Sequence, residues 1–239
     1  MTAVHRFETV GSTNDVAYDL FERGELPPFW VVADRQLGGR GRRGRSWVSE
    51  PGNLYVTLLI AKPRRTDRLP TLSLAAAVGV RSAIDRLGRF GPRLALKWPN
   101  DLLLDSRKVA GILLEARGKD AIMVGCGVNC AQHPSATSYG ATDLNAAGLV
   151  TSPTALFVTL KEEVRSALHE WNEGEGFEQT RSAWLAHATG LGSPASVTVG
   201  TETIRGVART IDHEGRLIMD VDGEEIAVSA GDLVLGGPA

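Results

Sequence analysis

Between two strand-like apolar segments, Phe29–Ala33 and Leu54–Ala61, the chain carries Gln36-Leu-Gly-Gly-Arg-Gly-Arg-Arg-Gly-Arg-Ser-Trp47. Arginine stands at 40, 42, 43 and 45, and glycine at 38, 39, 41 and 44. Glycine permits unusual φ angles and leaves backbone N–H groups bare, while arginine presents a planar fork that binds phosphate oxygens two at a time. Together they suit a mobile flap that wraps a polyanion and orders when the charge arrives. Trp47, at the end of the run, is placed to stack on a base. No Gly-Lys-Ser/Thr closes the loop, so this is not the Walker pattern. A solvated basic loop and a patch that touches a nucleic-acid backbone are the alternative readings. Two features weigh against them. The run is internal and closely flanked by strands, and no further basic residues follow it. In a chain of formal charge −2 a lone cationic loop fits one small anionic ligand better than a long polyanion.

That overall charge conceals a step. Residues 195–239 hold three cations (Arg205, Arg209, Arg216) and eight carboxylates, a net charge of −5, which leaves +3 for residues 1–194. Gly190-Leu-Gly-Ser-Pro194 punctuates the step as a connector. Beyond it, 196–200, 203–207, 216–221 and 225–229 alternate like strands separated by tight turns, Asp222-Gly223 being a hairpin signal. Residues 195–239 therefore predict a small SH3-like β-barrel, a satellite of the domain spanning 1–190. In that larger part strands fall at 4–10, 29–33, 54–61, 94–98 and 121–128, with a hairpin over 101–115. Helices fall near 13–23, 69–87, 153–171 and 175–189. Without regular βαβ alternation the expected class is α+β with a mixed sheet. The longest apolar stretch, Leu72–Val80, is too short for a span of roughly 20 residues. The N-terminus has no signal-peptide pattern. Two cysteines, Cys126 and Cys130, read as reduced thiols of a cytoplasmic protein that touches no membrane.

Lys97-Trp-Pro-Asn-Asp101 makes a rigid turn that projects an amide and a carboxylate, and Lys108 opens the returning strand of the hairpin. Asp101 and Lys108 are near-symmetric about that turn, so their side chains can meet. A surface ion pair is the plain reading. The neighbouring Gly-Arg loop favours another, in which the lysine holds a carboxylate and an α-phosphate together, as acyl-adenylate formation requires. Gly125-Cys-Gly-Val-Asn129 ends a buried strand, either as a simple turn or as a close approach to a ligand. The five histidines are scattered, no metal-ligand spacing is present, and no nucleophile elbow occurs.

Ser12-Thr-Asn14, Gly39-Arg-Gly-Arg-Arg-Gly-Arg45 with Trp47, Asn53-Leu-Tyr55, Lys97-Trp-Pro-Asn-Asp101, Lys108-Val-Ala-Gly-Ile-Leu-Leu-Glu115 and Gly125-Cys-Gly-Val-Asn129 occur in the order and spacing of the biotin protein ligases. The chain resembles that family over nearly its whole length, small acidic barrel included. The resemblance implies a two-step reaction. Biotin and Mg-ATP give biotinyl-5′-adenylate and pyrophosphate, and a lysine of a carboxylase's biotin carrier domain then takes the biotinyl group. It also implies residues. Ser12, Thr13, Asn14 and Gln36 lie at the biotin head, and Arg40, Gly41 and Arg42 over the adenylate. Arg45, Trp47 and Asn129 lie on the nucleotide side. Lys108 sits between the biotin carboxyl end and the α-phosphate, with Asp101 positioning it or acting near the attacking amine. Lys108, Arg42 and Asp101 are the expected catalytic set. With 11 residues before Ser12, the ligase-only form without a DNA-binding domain is expected, monomeric or homodimeric. Lipoate ligases and octanoyltransferases share the architecture but are not expected to combine this flap with the Lys-Trp-Pro-Asn-Asp motif.

Overall fold

The structure, a computed structural model, describes residues 2–118, 120–135 and 140–236. Seven strands form one mixed sheet in the order β1-β2-β3-β7-β6-β5-β4. They are β1 (Ala3–Val10), β2 (Phe29–Gln36), β3 (Leu54–Ala61), β4 (Leu94–Lys97), β5 (Asp101–Leu104), β6 (Arg107–Arg117) and β7 (Ala121–Val128). β1 and β2 run parallel, joined through helix α1 (Thr13–Glu22), and the other neighbours run antiparallel. This is the expected mixed α+β arrangement. The β5–β6 hairpin turns at Asp105 and Ser106, both at positive φ (50° and 62°), as a two-residue turn between right-twisted strands requires.

Both faces of the sheet are covered, unequally. Helices α2 (Leu69–Gly88) and α3 (Pro153–Trp171) pack with the shorter α4 (Phe177–Leu185) over the main core. On the other face α1 covers a smaller cluster of Ala17, Phe29, Val31, Leu59, Ala121 and Met123. The central strands β3 and β7 are therefore enclosed on both sides, which is why Leu54–Leu59 and Ala121–Cys126 show no alternation of burial. Each large aliphatic side chain fully buried here contributes roughly 1.5–3 kcal/mol. Ser152 caps α3 by accepting from the Ala155 N–H (3.1 Å), with Pro153 in the first turn.

Strands β8 (Ser193–Val199), β9 (Glu202–Ile211), β10 (Leu217–Val221), β11 (Glu224–Val228) and β12 (Asp232–Leu235) make a separate antiparallel sheet in the order β11-β10-β9-β8-β12. Residues 237–239 of the expected C-terminal unit lie outside the described residues. Three expectations change. The barrel is open, with β11 and β12 at opposite edges of the sheet. The unit is no satellite, because Val197, Ala208, Ile211, Leu217, Met219 and Leu233 belong to the same contiguous core as the large sheet. The helix expected to reach residue 189 ends at Leu185 instead. Its continuation is drawn onto the edge of β4, where Leu96 N–H donates to the His187 carbonyl and Thr189 N–H to the Leu96 carbonyl. Strand β12 was not foreseen at all.

Helices α2 and α3 touch at Gly79, where an added Cβ would lie 2.7 Å from Val164 Cα and 3.0 Å from the Glu163 carbonyl. Gly79→Ala should force the helices apart and cost about 1–3 kcal/mol despite alanine's better helix propensity. Urea unfolding measures this, and an unchanged or raised midpoint would show that the close crossing is dispensable.

Candidate functional site

The half of the sheet that α1 leaves uncovered is floored by glycine. Strand register aligns Gly127 of β7, Gly111 of β6, Asp101 of β5 and Lys97 of β4 in one row, with Gly125 two residues along β7. Above this floor lies a cavity of about 720 Å³, roofed by the loop 37–49 and closed at one end by β12. The glycines are needed where they stand. A Cβ at Gly125 would lie 2.6 Å from Asn14 Oδ1, and one at Gly127 would lie 2.5 Å from Trp47 Nε1. The close approach read from Gly125-Cys-Gly127 is thus an approach of two side chains of this chain, Asn14 and Trp47.

At one end of the cavity the first turn of α1 meets the end of β2. Ser12, Thr13 and Asn14 are all buried. Ser12 occupies the N-cap position, but its side chain makes no capping bond. Gln36 serves instead. Its Oε1 accepts from Thr13 N–H (2.9 Å) and Thr13 Oγ1 (3.1 Å), while its Nε2 donates to Ser49 Oγ (2.9 Å). Asn14 Nδ2 donates to Glu115 Oε2 (2.8 Å), and the Thr57 hydroxyl lies 2.6 Å from Asn14 Oδ1 and 2.8 Å from Thr13 Oγ1. Thr13, Asn14, Gln36 and Thr57 are each oriented by a neighbour, so these groups present a fixed donor and acceptor pattern. Thr57 and Glu115 were missed as site residues. The signal for Thr57 is a hydroxyl inside the apolar run Leu54–Ala61, which must find a partner when fully buried.

The four flap arginines divide. Arg40 turns back to α1 and β6, donating twice to Asp15 (2.8 and 2.8 Å) and once to Glu115 (3.4 Å). Arg117 reaches the same two carboxylates. The Arg40 hydrogen bonds, with Arg117 beside them, hold the Asp15 carboxyl down at about 2. The other three face the C-terminal sheet. Arg42 donates to the Gly231 carbonyl (3.0 Å), Arg43 to Asp232 (3.2 Å) and to the Thr198 carbonyl (3.0 Å), and Arg45 to Asp232 (2.7 Å). Burial lowers the pKa of Arg42. The flap expected to order around an incoming polyanion therefore lies across the cavity held by carboxylates of the chain itself. Asp15, Arg43 and Asp232 join the site by this route.

Beneath the flap, Lys108 Nζ and Asp101 Oδ1 form an ion pair of 2.6 Å, the contact read from the hairpin. The two are not symmetric about its turn, however, since the register pairs Asp101 with Gly111 and Lys108 with Leu103. Lys108 Nζ also stands 5.3 Å from the centre of the Trp47 ring. The Trp47 indole N–H is buried and has no hydrogen-bond acceptor among the described residues. Lys97 lines the cavity too, and burial lowers its pKa. Two asparagine amides are engaged by the chain itself. Asn100 lines the cavity, but its Nδ2 donates to the Ile112 carbonyl (2.6 Å) and fixes the turn to β6. Asn129 does not line the cavity, since it is buried with its Nδ2 on the Thr142 carbonyl (3.0 Å). The expected residues Ser12, Thr13, Asn14, Gln36, Arg40, Gly41, Arg42, Arg45, Trp47, Asp101 and Lys108 all line one cavity. Cys126 and Cys130 are buried free thiols pushed up to about 12, and so are protonated and inert.

Because Asp232 binds two flap arginines, Asp232→Asn should loosen the loop. Trypsin cleavage after Arg42, Arg43 or Arg45 is expected to accelerate several-fold, and added salt should shift the wild type the same way. Equal cleavage rates in both proteins would show that the Asp232 contacts do not hold the flap.

Comparison with known proteins gives consistent matches. The Biotin/lipoate A/B protein ligase family matches residues 7–129, and the Biotin protein ligase C terminal domain matches residues 190–236. The biotin--[acetyl-CoA-carboxylase] ligase of Paracoccus denitrificans is 36% identical over 217 residues, 87% of this chain and 90% of that protein. The bifunctional ligase/repressor BirA of Escherichia coli K12 is 36% identical over 223 residues, 90% of this chain and 68% of that one. Among solved structures, biotin protein ligase from Aquifex aeolicus in complex with biotin and ATP superposes with a TM-score of 0.85 at 24% identity, covering 98% of each chain, a likeness of fold. Biotin protein ligase from Leishmania major in complex with biotinyl-5-AMP gives 0.69 at 26% identity, over 95% of this chain and 99% of that one.

Proposed function

The chain belongs to the biotin/lipoate A/B protein ligase family, and we propose that it activates biotin with ATP as biotinyl-5′-AMP and transfers it to a lysine of a carboxylase's biotin carrier domain. The observation that carries this reading is the convergence in one cavity of an oriented amide and hydroxyl cluster, a buried lysine–carboxylate pair and a cationic roof.

The chemistry explains the convergence. Biotin has a neutral ureido head with one acceptor and two donors, and the fixed pattern of Ser12, Thr13, Asn14 and Gln36 suits it. Its carboxylate must then approach a triphosphate. Two anions brought together in a site with little water repel strongly, so cations at the meeting point are required. Lys108, whose side chain lies over Gly111 of the same strand, reaches that point. The carboxylate oxygen attacks the α-phosphorus, a C–O–P bond forms, and the bond to the β-phosphate breaks with its electron pair leaving on pyrophosphate. In the second step the carrier's lysine nitrogen attacks the acyl carbon, and AMP departs as the amide forms. The mixed anhydride hydrolyses readily, which gives the roof of Arg40, Gly41 and Arg42 its purpose as a water screen. Asp101, in contact with Lys108, keeps that ammonium group aimed along the floor. Trp47 on Gly111 and Gly127 offers a face to adenine. Magnesium enters as the Mg-ATP substrate complex, carried by the phosphates. Two free buried thiols accord with a cytoplasmic setting, and among the described residues no helix is long and apolar enough to cross a membrane. The nucleic-acid reading loses its main support, because Arg40, Arg43 and Arg45 are engaged by carboxylates of the same chain.

Biotin-dependent exchange of labelled pyrophosphate into ATP is the direct test, with lipoate and octanoate as parallel substrates. Exchange with biotin alone is expected, whereas exchange with lipoate would move the chain to the sister branch of the family. Lys108→Ala should slow exchange about 10²–10³-fold with the fold intact. Full activity in that variant would remove Lys108 from the mechanism. Arg42→Ala should instead leak the intermediate, so that biotinyl-5′-AMP accumulates free in solution when no carrier is present. Retention of the adenylate equal to wild type would contradict the screening role.

A further inference from the structure

The cations of this cavity differ in what already neutralises them. Arg40 is held by Asp15 and Glu115, Arg43 and Arg45 by Asp232, and Lys108 by Asp101. Lys97 is different. Among the described residues no carboxylate lies within ion-pairing distance of its ammonium group, although the side chain is largely buried. Burial, Lys108 and Arg45 disfavour its charge, and Asp101, opposite it across the β4–β5 ladder, and Asp232 favour it without closing an ion pair among the described residues. Such an ammonium group is stabilised by any anion that reaches it.

Its position says which anion. On β4, Leu94 and Leu96 point into the main core, so Lys97 falls on the cavity face. It ends the row Gly127, Gly111, Asp101, Lys97 that crosses four adjacent strands. Asn14 sits over β7, the Lys108–Asp101 pair over β6 and β5, and Lys97 over β4. At roughly 4.8 Å per strand spacing, about 14 Å separates the biotin-head end of the floor from Lys97. Reading along the row, the ureido cluster comes first, the carboxylate and α-phosphorus meet at Lys108, and the next groups of the triphosphate extend toward Lys97. Arg42, which contacts a backbone carbonyl and no carboxylate among the described residues, roofs the same end of the cavity.

We propose that Lys97 is a catalytic residue of the first half-reaction, holding the β- and γ-phosphates and stabilising the pyrophosphate as it departs. The inference rests on the ligase reading above. When the bond between the α-phosphorus and the bridging oxygen breaks, the electron pair goes to the bridging oxygen and the leaving group gains negative charge. An ammonium group already in place there binds the departing group more tightly than the intact triphosphate, which lowers the barrier. In the transfer step no pyrophosphate is present, so Lys97 has no comparable work.

The experiment separates the two halves in the full-length protein. Pyrophosphate–ATP exchange and transfer from preformed biotinyl-5′-AMP to a purified carrier domain are measured for wild type, Lys97→Ala and Lys97→Arg. The expected result is exchange reduced about 100-fold in Lys97→Ala, transfer within about threefold of wild type, and substantial recovery of exchange in Lys97→Arg. Inhibition by added pyrophosphate should weaken in parallel. If Lys97→Ala folds poorly, Lys97→Gln supplies the same comparison. Equal losses in both half-reactions, or no loss in either, would overturn the assignment to the leaving group. A wild type that shows no biotin-dependent exchange would instead overturn the ligase reading, and Lys97's role with it.

Discussion

Everything in the cavity depends on a part of the sheet where side chains are missing. Gly111 and Gly127 pair across β6 and β7, with Gly125 beside them, and they leave room for an indole and an amide to lie directly on backbone. A methyl group at Gly125 or Gly127 would collide with Asn14 or Trp47 at less than 3 Å. The floor in turn needs support from behind. The opposite face of β6 and β7 carries Ala110, Ile112, Val124 and Val128, locked into the main core. A flat, rigid platform thus results from a well-packed face on one side and an empty one on the other, within the same two strands.

The uneven distribution of charge along the chain acquires a physical meaning in this geometry. The cationic loop and the acidic C-terminal unit are not independent features, because Asp232 and the Gly231 carbonyl receive three of the four flap arginines. The second sheet also accepts the Trp98 indole N–H at the Gly215 carbonyl, which ties it to the turn that carries Lys97 and Asp101. One small sheet therefore touches the roof and one wall of the cavity at once. Exposed ion pairs of this sort are individually weak, worth a few tenths to one kcal/mol, so the roof is held but not locked.

Much of this was legible beforehand, and the failures are instructive. The periodic helices α2 and α3 and the long apolar strands β3 and β7 fall where the pattern puts them. The end of α4 does not, because its last residues are recruited by the β4 edge, a tertiary bond that leaves no local trace. The residues with distinctive spacing, from Ser12 to Lys108, line one cavity. Asp15, Glu115 and Asp232 were invisible because a carboxylate in a strand or helix looks like any solvated charge until its guanidinium partner is placed. Asn100 and Asn129 show the converse. Their amides satisfy backbone carbonyls of neighbouring segments, a use that sequence does not distinguish from a use on a ligand.

Gln36 caps α1 from another element of the fold, since its carbonyl oxygen takes the Thr13 N–H, one of the orphan donors of the first turn. The same side chain lines the cavity. A residue that both caps a helix and lines the cavity is judged twice by selection. Any replacement that adjusts ligand preference also alters how α1 begins, and with it the aim of Thr13 and Asn14. Drift toward a new substrate through this position is thereby constrained, and Arg40, which bonds Asp15 in the first turn of the same helix, shares that constraint.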